Sequence, residues 1–180
     1  MADIFKRAEV ATNGHSAIAS VVPQWFSLPH QINATFPNVV NNDTGYVLCR
    51  AVQFFLPGEP QVYYVGLFNG QDDRELFERS GQGRDVNRHN YTEAEINDAL
   101  GKPVTQAILA LARLRRNPAF NGAFSWSVLG ETSMHLGWVN GDHKISLEFS
   151  TEPGAVEFVI EVHEGTETRR FDSIEALAKL

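Results

Sequence analysis

Five side chains able to bind or brace a polar ligand fall within the six residues 84–89: Arg84, Asp85, Asn87, Arg88 and His89. They sit in a polar, glycine-punctuated stretch that follows an apolar run. A guanidinium presents a rigid fork of N–H donors, which suits two neighbouring sugar hydroxyls or an anion. Arg84 is therefore the first candidate ligand-binding residue. The competing reading is an arginine that pairs with Asp85 or with a helix end. Asp85, Asn87, Arg88 and His89 are expected to brace the loop by hydrogen bonds rather than to touch a ligand.

Other chemistries find little support. The single cysteine, Cys49, lies at helical spacing among Val47, Leu48, Val52 and Phe54. That is the setting of a core thiol rather than of a nucleophile, which wants a histidine partner and polar surroundings. His135, His143 and His163 fall at unrelated spacings, so no metal is expected, and His15 has no partner pattern. There is no glycine-rich phosphate cradle, no CxxC and no G-x-S-x-G, and no cofactor is expected. The net charge of −7 is spread along the chain, which argues against nucleic acid or an anionic membrane as partner. No apolar run approaches the roughly 20 residues that cross a bilayer, and the first residues lack a signal-peptide core. A cytoplasmic location is the expectation.

The elements that must position Arg84 follow from periodicity. Residues 2–11 suit a short amphipathic helix. Residues 12–29 are irregular yet carry Val21, Val22, Trp25 and Phe26, too apolar for a free loop. A short extended piece over 30–38, ended by Pro37, precedes a nearly all-apolar helix over 45–55, capped by NNDT and stopped by Leu56-Pro57-Gly58. Residues 61–67 (QVYYVGL) read as a buried parallel strand. One or two helical turns are expected over 72–79. Thr92 with Glu95 is a capping box, and Pro103 opens the strongest helix, over 103–116. From Phe120 the apolar period changes from 3.6 to 2, with turn signals at Gly130, Asn140-Gly141, Pro153-Gly154 and Glu164-Gly165. This predicts four or five antiparallel strands and a short terminal helix over 173–179. Trp126 and Trp138 offer a carbohydrate platform, but aromatics that alternate in strands are expected in the core.

Three blocks, QFFLPGEPQVYYVGL, GRDVNRHNYTEAEI and KPVTQAILALARLRRNPAFNG, resemble the sucrose phosphorylase group of the α-amylase superfamily. The resemblance implies that residues 61–67 are the last strand of a (β/α)8 barrel. The GRD loop and the final barrel helix follow it, and then a small antiparallel β domain. It places Arg84 on the donor-glucose side. The block Gln31-Ile32-Asn33-Ala34-Thr35-Phe36 is similar to the acceptor-side loop of that family, with Gln31 facing the fructosyl or phosphate side. His30 stands where many members have tyrosine; a histidine there suits an anionic acceptor, such as sucrose 6-phosphate or glucosylglycerate.

The fold expectation is thus α/β plus all-β. Residues 1–119 form the C-terminal portion of an incomplete barrel and residues 120–180 an antiparallel β domain. A whole barrel needs about 250 residues, so the chain is expected to be a fragment. By the resemblance, the aspartate nucleophile, the glutamate acid/base and the second aspartate lie upstream of Met1. The implied partners are sucrose or a related glucoside, inorganic phosphate and the missing N-terminal barrel segment, with a homodimer also open. A non-catalytic carbohydrate-binding module and a remnant that does not fold stably are the other readings.

Overall fold

The computed structural model describes residues 2–12, 15–18, 29–152 and 154–180. Trp25 and Phe26 lie outside the described residues. The chain packs as two units, Met1–Asn42 with Tyr63–Ala99, and Asp43–Val62 with Leu100–Leu180.

The first unit is built from short pieces. Helix α1 (Ala2–Thr12) is followed by an antiparallel pair, β1 (His15–Ile18) and β2 (Pro29–Asn33). Thr35 then caps α2 (Phe36–Val40), its hydroxyl accepting from Asn38 N. Pro37 occupies the first turn of α2, where its missing N–H costs nothing. It starts a helix instead of ending a strand.

The expected strand over 61–67 is not formed. Tyr63 is extended, and the chain then closes into the single turn α4 (Tyr64–Leu67). A strand must give its N–H and C=O groups to neighbours. Among the described residues of this unit the other strands, β1 and β2, pair with each other. The segment satisfies itself locally instead: Leu67 N donates to Tyr63 O (2.9 Å), Phe68 N to Tyr64 O (3.1 Å) and Gly70 N to Val65 O (2.8 Å). Its β-branched and aromatic composition reports burial, since Val65 and Gly66 are buried, and not strand pairing. Helix α5 (Arg74–Ser80), a 3₁₀ turn (Gly83–Asn87) and α6 (Glu93–Leu100) complete this part of the chain.

The second unit is a sheet covered on one face by helices. Helix α3 runs Asp43–Phe55, and α7 (Pro103–Leu114) packs against it. The strands β3 (Ala123–Val128), β4 (Ser133–Asn140), β5 (His143–Glu152), β6 (Ala155–Glu164) and β7 (Glu167–Phe171) form a five-stranded antiparallel sheet in sequence order. Asn140 pairs with His143, so the central turn residues are Gly141 and Asp142, one place later than the Asn-Gly signal suggests. Gly141 takes the left-handed φ of 59° that this two-residue turn requires.

The period of two gathers the apolar side chains on one face. Across the strands, Trp126, Leu136, Leu147, Ile160 and Phe171 form one row, and Phe124, Trp138, Ile145 and Val162 another. Helix α3 lies against β5 and β6, α8 (Ile174–Ala178) lies against β7, and α7 packs on both helices. Ile145, Leu147, Ile160 and Val162 are fully enclosed. Phe120 fills the space between Phe55 (5.4 Å between ring centres) and Trp138 (5.7 Å). The indole N–H of Trp138 donates to the Phe55 carbonyl at 2.6 Å, satisfying an orphan acceptor at the end of α3. Trp126 departs from the core expectation. It is 63% exposed, beside Val128 and Leu129, because it sits on the edge strand.

Candidate functional site

Arg84 sits on the 3₁₀ turn, its side chain exposed. The turn is pinned from behind. Val86 is fully buried, and its carbonyl accepts from Asp73 N at 2.8 Å. Asp73 is also the N-cap of α5, one carboxylate oxygen accepting from Leu76 N at 2.8 Å. Its other oxygen lies 2.6 Å from His89 Nδ1.

His89 closes the loop at its far end. Its Nε2 is 3.1 Å from Glu95, so the imidazole bridges two carboxylates. The hydrogen bond to Asp73 is the main force that raises the His89 pKa; burial opposes it and Glu95 adds to it. Burial disfavours the Asp73 carboxylate, but the hydrogen bonds from His89 and Leu76 outweigh it and lower its pKa. Glu95 completes the capping box: its carboxylate accepts from Thr92 N at 2.7 Å while Glu95 N donates to the Thr92 hydroxyl. The Thr92 bonds, joined by His89, hold Glu95 down at a pKa of about 2.

Aromatic rings support the same loop. Tyr64 donates its hydroxyl to the His89 carbonyl at 3.0 Å, and burial pushes that phenol up to about 12. Tyr91 meets Tyr64, Phe68 and His89 edge to face. Tyr64, Phe68, His89, Asn90, Tyr91 and Ile96 line an open hollow. His89 therefore has the bracing role that the sequence suggests.

The acceptor-side candidates lie on β2. Gln31 pairs with Ala17, and the register slips between Ala17 and Ile18, which leaves His30 at the irregularity. Their side chains are outside the described residues. Both β1 and β2 lie against the 3₁₀ turn, so the strand that carries His30 and Gln31 packs on the turn that carries Arg84. Just after β2, Thr35 N donates to Asp72 Oδ1 at 2.6 Å and the Asn38 amide donates to Asp72 Oδ2 at 3.0 Å. Asp72 and Asp73 do not stand out in the sequence as parts of the site. An acidic pair directly before a helix was a legible N-cap signal, but its second set of partners is 16 and more residues away.

Cys49 is half-buried, and burial raises its thiol pKa, the opposite of an activated nucleophile. Among the described residues no cluster of His, Cys, Asp and Glu could hold a metal ion.

No family model matches the chain. Sucrose phosphorylase of Bifidobacterium adolescentis is 43% identical over 127 residues, which are 69% of this chain and 25% of that protein. Glucosylglycerol phosphorylase of Marinobacter adhaerens is 44% identical over 128 residues, 68% of this chain and 27% of that protein. The crystal structure of sucrose 6F-phosphate phosphorylase from Thermoanaerobacter thermosaccharolyticum superposes with a TM-score of 0.81 at 32% identity, over 96% of this chain and 36% of that one. The chain is homologous to the C-terminal part of the sucrose phosphorylase group. It spans about a quarter of the length of the curated relatives it matches. The five-stranded sheet with its helices matches the C-terminal domain of these phosphorylases. No helix among the described residues is long and apolar enough to cross a membrane.

Proposed function

We propose that this chain supplies the donor- and acceptor-side loops of a retaining α-glucoside phosphorylase. The reaction is transfer of a glucosyl unit from sucrose to inorganic phosphate, giving glucose 1-phosphate and fructose. It runs through a covalent glucosyl-aspartate with two displacements. The observation that carries the reading is the identity of 43% over 127 residues to a sucrose phosphorylase. The juxtaposition of β2 with the Arg84 turn supports it.

Arg84 binds the donor glucose through its guanidinium fork, and Gln31 and His30 face the acceptor. The nucleophile and acid/base carboxylates come from barrel residues outside this chain, which alone is inactive in the cytoplasm. The border between barrel-derived and β-domain residues lies at 119/120 in this proposal. A related acceptor, sucrose 6-phosphate or glucosylglycerate, follows if His30 recognises an anion.

The test is release of glucose 1-phosphate from sucrose and phosphate by the purified chain, followed with a coupled dehydrogenase. No release is expected, and glucose binding seen by NMR should weaken at least tenfold in Arg84→Ala. Clear turnover would overturn the placement of the carboxylates outside the chain. Equal binding by the variant would overturn the role of Arg84.

One observation favours a second reading, a carbohydrate-binding module. Trp126 is 63% exposed on the edge strand, beside exposed Val128 and Leu129, and a bare indole face can stack on a sugar ring. On that reading Trp126→Ala abolishes saturable sugar binding and Arg84→Ala leaves it intact.

A further inference from the structure

The two carboxylates that fasten the candidate ligand loops are neighbours in sequence. Asp72 takes the Thr35 N–H and the Asn38 amide, directly after the β2 strand that carries His30 and Gln31. Asp73 donates its own N–H to Val86 and accepts from His89, at the two ends of the stretch that follows Arg84. One planar peptide unit therefore lies between the two anchorages, so a backbone shift at one is passed directly to the other. We propose that the Asp72-Asp73 pair is a positioning element that couples the β2–α2 segment to the Arg84 turn, with His89 as its proton-dependent member. Calling these segments acceptor-side and donor-side rests on the function proposed above; the coupling itself does not.

The geometry makes the coupling depend on charge. Imidazolium has two N–H donors, one for Asp73 and one for Glu95; neutral imidazole has one. On deprotonation one carboxylate must face a lone pair. The contact to Asp73 is shorter, 2.6 Å against 3.1 Å, so Glu95, which keeps Thr92, is the one released, and the bond that Asp73 retains loses its charge assistance and weakens. Among the described residues, four groups meet His89 from the elements packed on it. Asp73 faces it from α5, Glu95 from α6, the Tyr64 hydroxyl reaches its carbonyl from α4, and the Tyr91 ring meets its edge. Arg79 acts on Asp73 and Arg88 on Tyr64 through charge. His89 thus deprotonates against two anions, with a pKa raised from that of an ordinary histidine.

An NMR pH titration of the whole 180-residue chain reads the coupling directly. The Asp73 amide, which donates to the Val86 carbonyl, the Thr35 amide and the Asn38 side-chain amide are expected to shift with the midpoint of the His89 ring. His89→Gln should abolish that shift at all three. Asp72→Asn, and Asp72→Ala if it folds, should remove it at Thr35 and Asn38 and keep it at Asp73. Hydrogen exchange at Thr35 should become about tenfold or more faster in Asp72→Ala, the effect of a lost charge-assisted bond. Flat Thr35 and Asn38 amides in the unaltered chain, or shifts that persist in the Asp72 variants, overturn the coupling. Glucose and inorganic phosphate added to the same samples separate this from the functional reading. Coupled amides without binding count against the ligand roles alone, and binding with uncoupled amides counts against the Asp72-Asp73 pair alone.

Discussion

His89, Asp73 and Glu95 each hold the others in their charged forms, so the loop they close is stable over a bounded pH range. His89 has a folded-state pKa raised above the ordinary 6.5. Its contribution is complete below that value and is lost as pH rises through the raised one. Asp73 and Glu95 have pKa values lowered from 3.8 and 4.5. Their contributions are complete above those ordinary values and are lost as pH falls through the lowered ones, near 2 for Glu95. Hydrogen-exchange protection of the Leu76 and Thr92 amides, which donate to these carboxylates, is therefore greatest between about pH 4.5 and 6.5. In His89→Gln the alkaline fall in protection disappears and the acid fall remains. A profile without an alkaline fall in the unaltered chain would contradict the clamp.

At the scale of elements, what the sequence makes legible is what is local. The Thr92-Glu95 box forms as its spacing requires, and Thr92→Ala is expected to destabilise its unit by about 1 kcal/mol, within a range of roughly 0.5–2, in urea melts. Helix α7 begins at Pro103 for a local reason too, and the strands from β3 to β7 follow from alternation around glycine turns. Residues 61–67 were illegible because strand formation depends on neighbours elsewhere in the chain; among the described residues none pairs with them, and Tyr64–Leu67 closes into a turn of helix. The site divides in the same way. Arg84 stands out by residue type within a polar stretch. The Asp73–His89 and Asp72–Thr35 contacts span 16 and 37 residues, and no periodicity encodes them. Gly70 is a comparable case. Nothing in its local sequence marks it, yet a Cβ there would collide with the Tyr91 hydroxyl and Val65, so Gly70→Ala should cost about 1–3 kcal/mol, measured by the same melts.

For the molecule as a whole, the decisive feature is how the apolar sheet face acquires its cover. The alternation that predicts the strands also predicts one apolar face, and a small sheet cannot leave such a face in water. Part of its cover comes from far away in sequence: α3 lies on β5 and β6 and is backed by α7, while the 3₁₀ turn at Pro118–Asn121, just before β3, covers β4 and β5. Trp138 shows the dependence in one side chain, since its indole N–H ends on the Phe55 carbonyl, 83 residues earlier. Trp138→Ala should therefore cost about 3–5 kcal/mol, whereas Trp126→Ala, on the exposed edge, should stay within about 0.5 kcal/mol. A peptide of residues 120–180 would contain every strand and α8 but neither α3 nor α7. Ile145, Leu147, Ile160 and Val162, fully enclosed in the intact chain, would lose most of that cover. Each such side chain contributes about 1.5–3 kcal/mol when buried, so their exposure exceeds the margin of a domain this small. The peptide is expected to lack near-ultraviolet circular dichroism and a cooperative melt and to associate through the bare face. A polypeptide that also includes residues 43–119 should regain both. A cooperative melt of monomeric 120–180 would show that the sheet holds its own core and that the helices are dispensable to it.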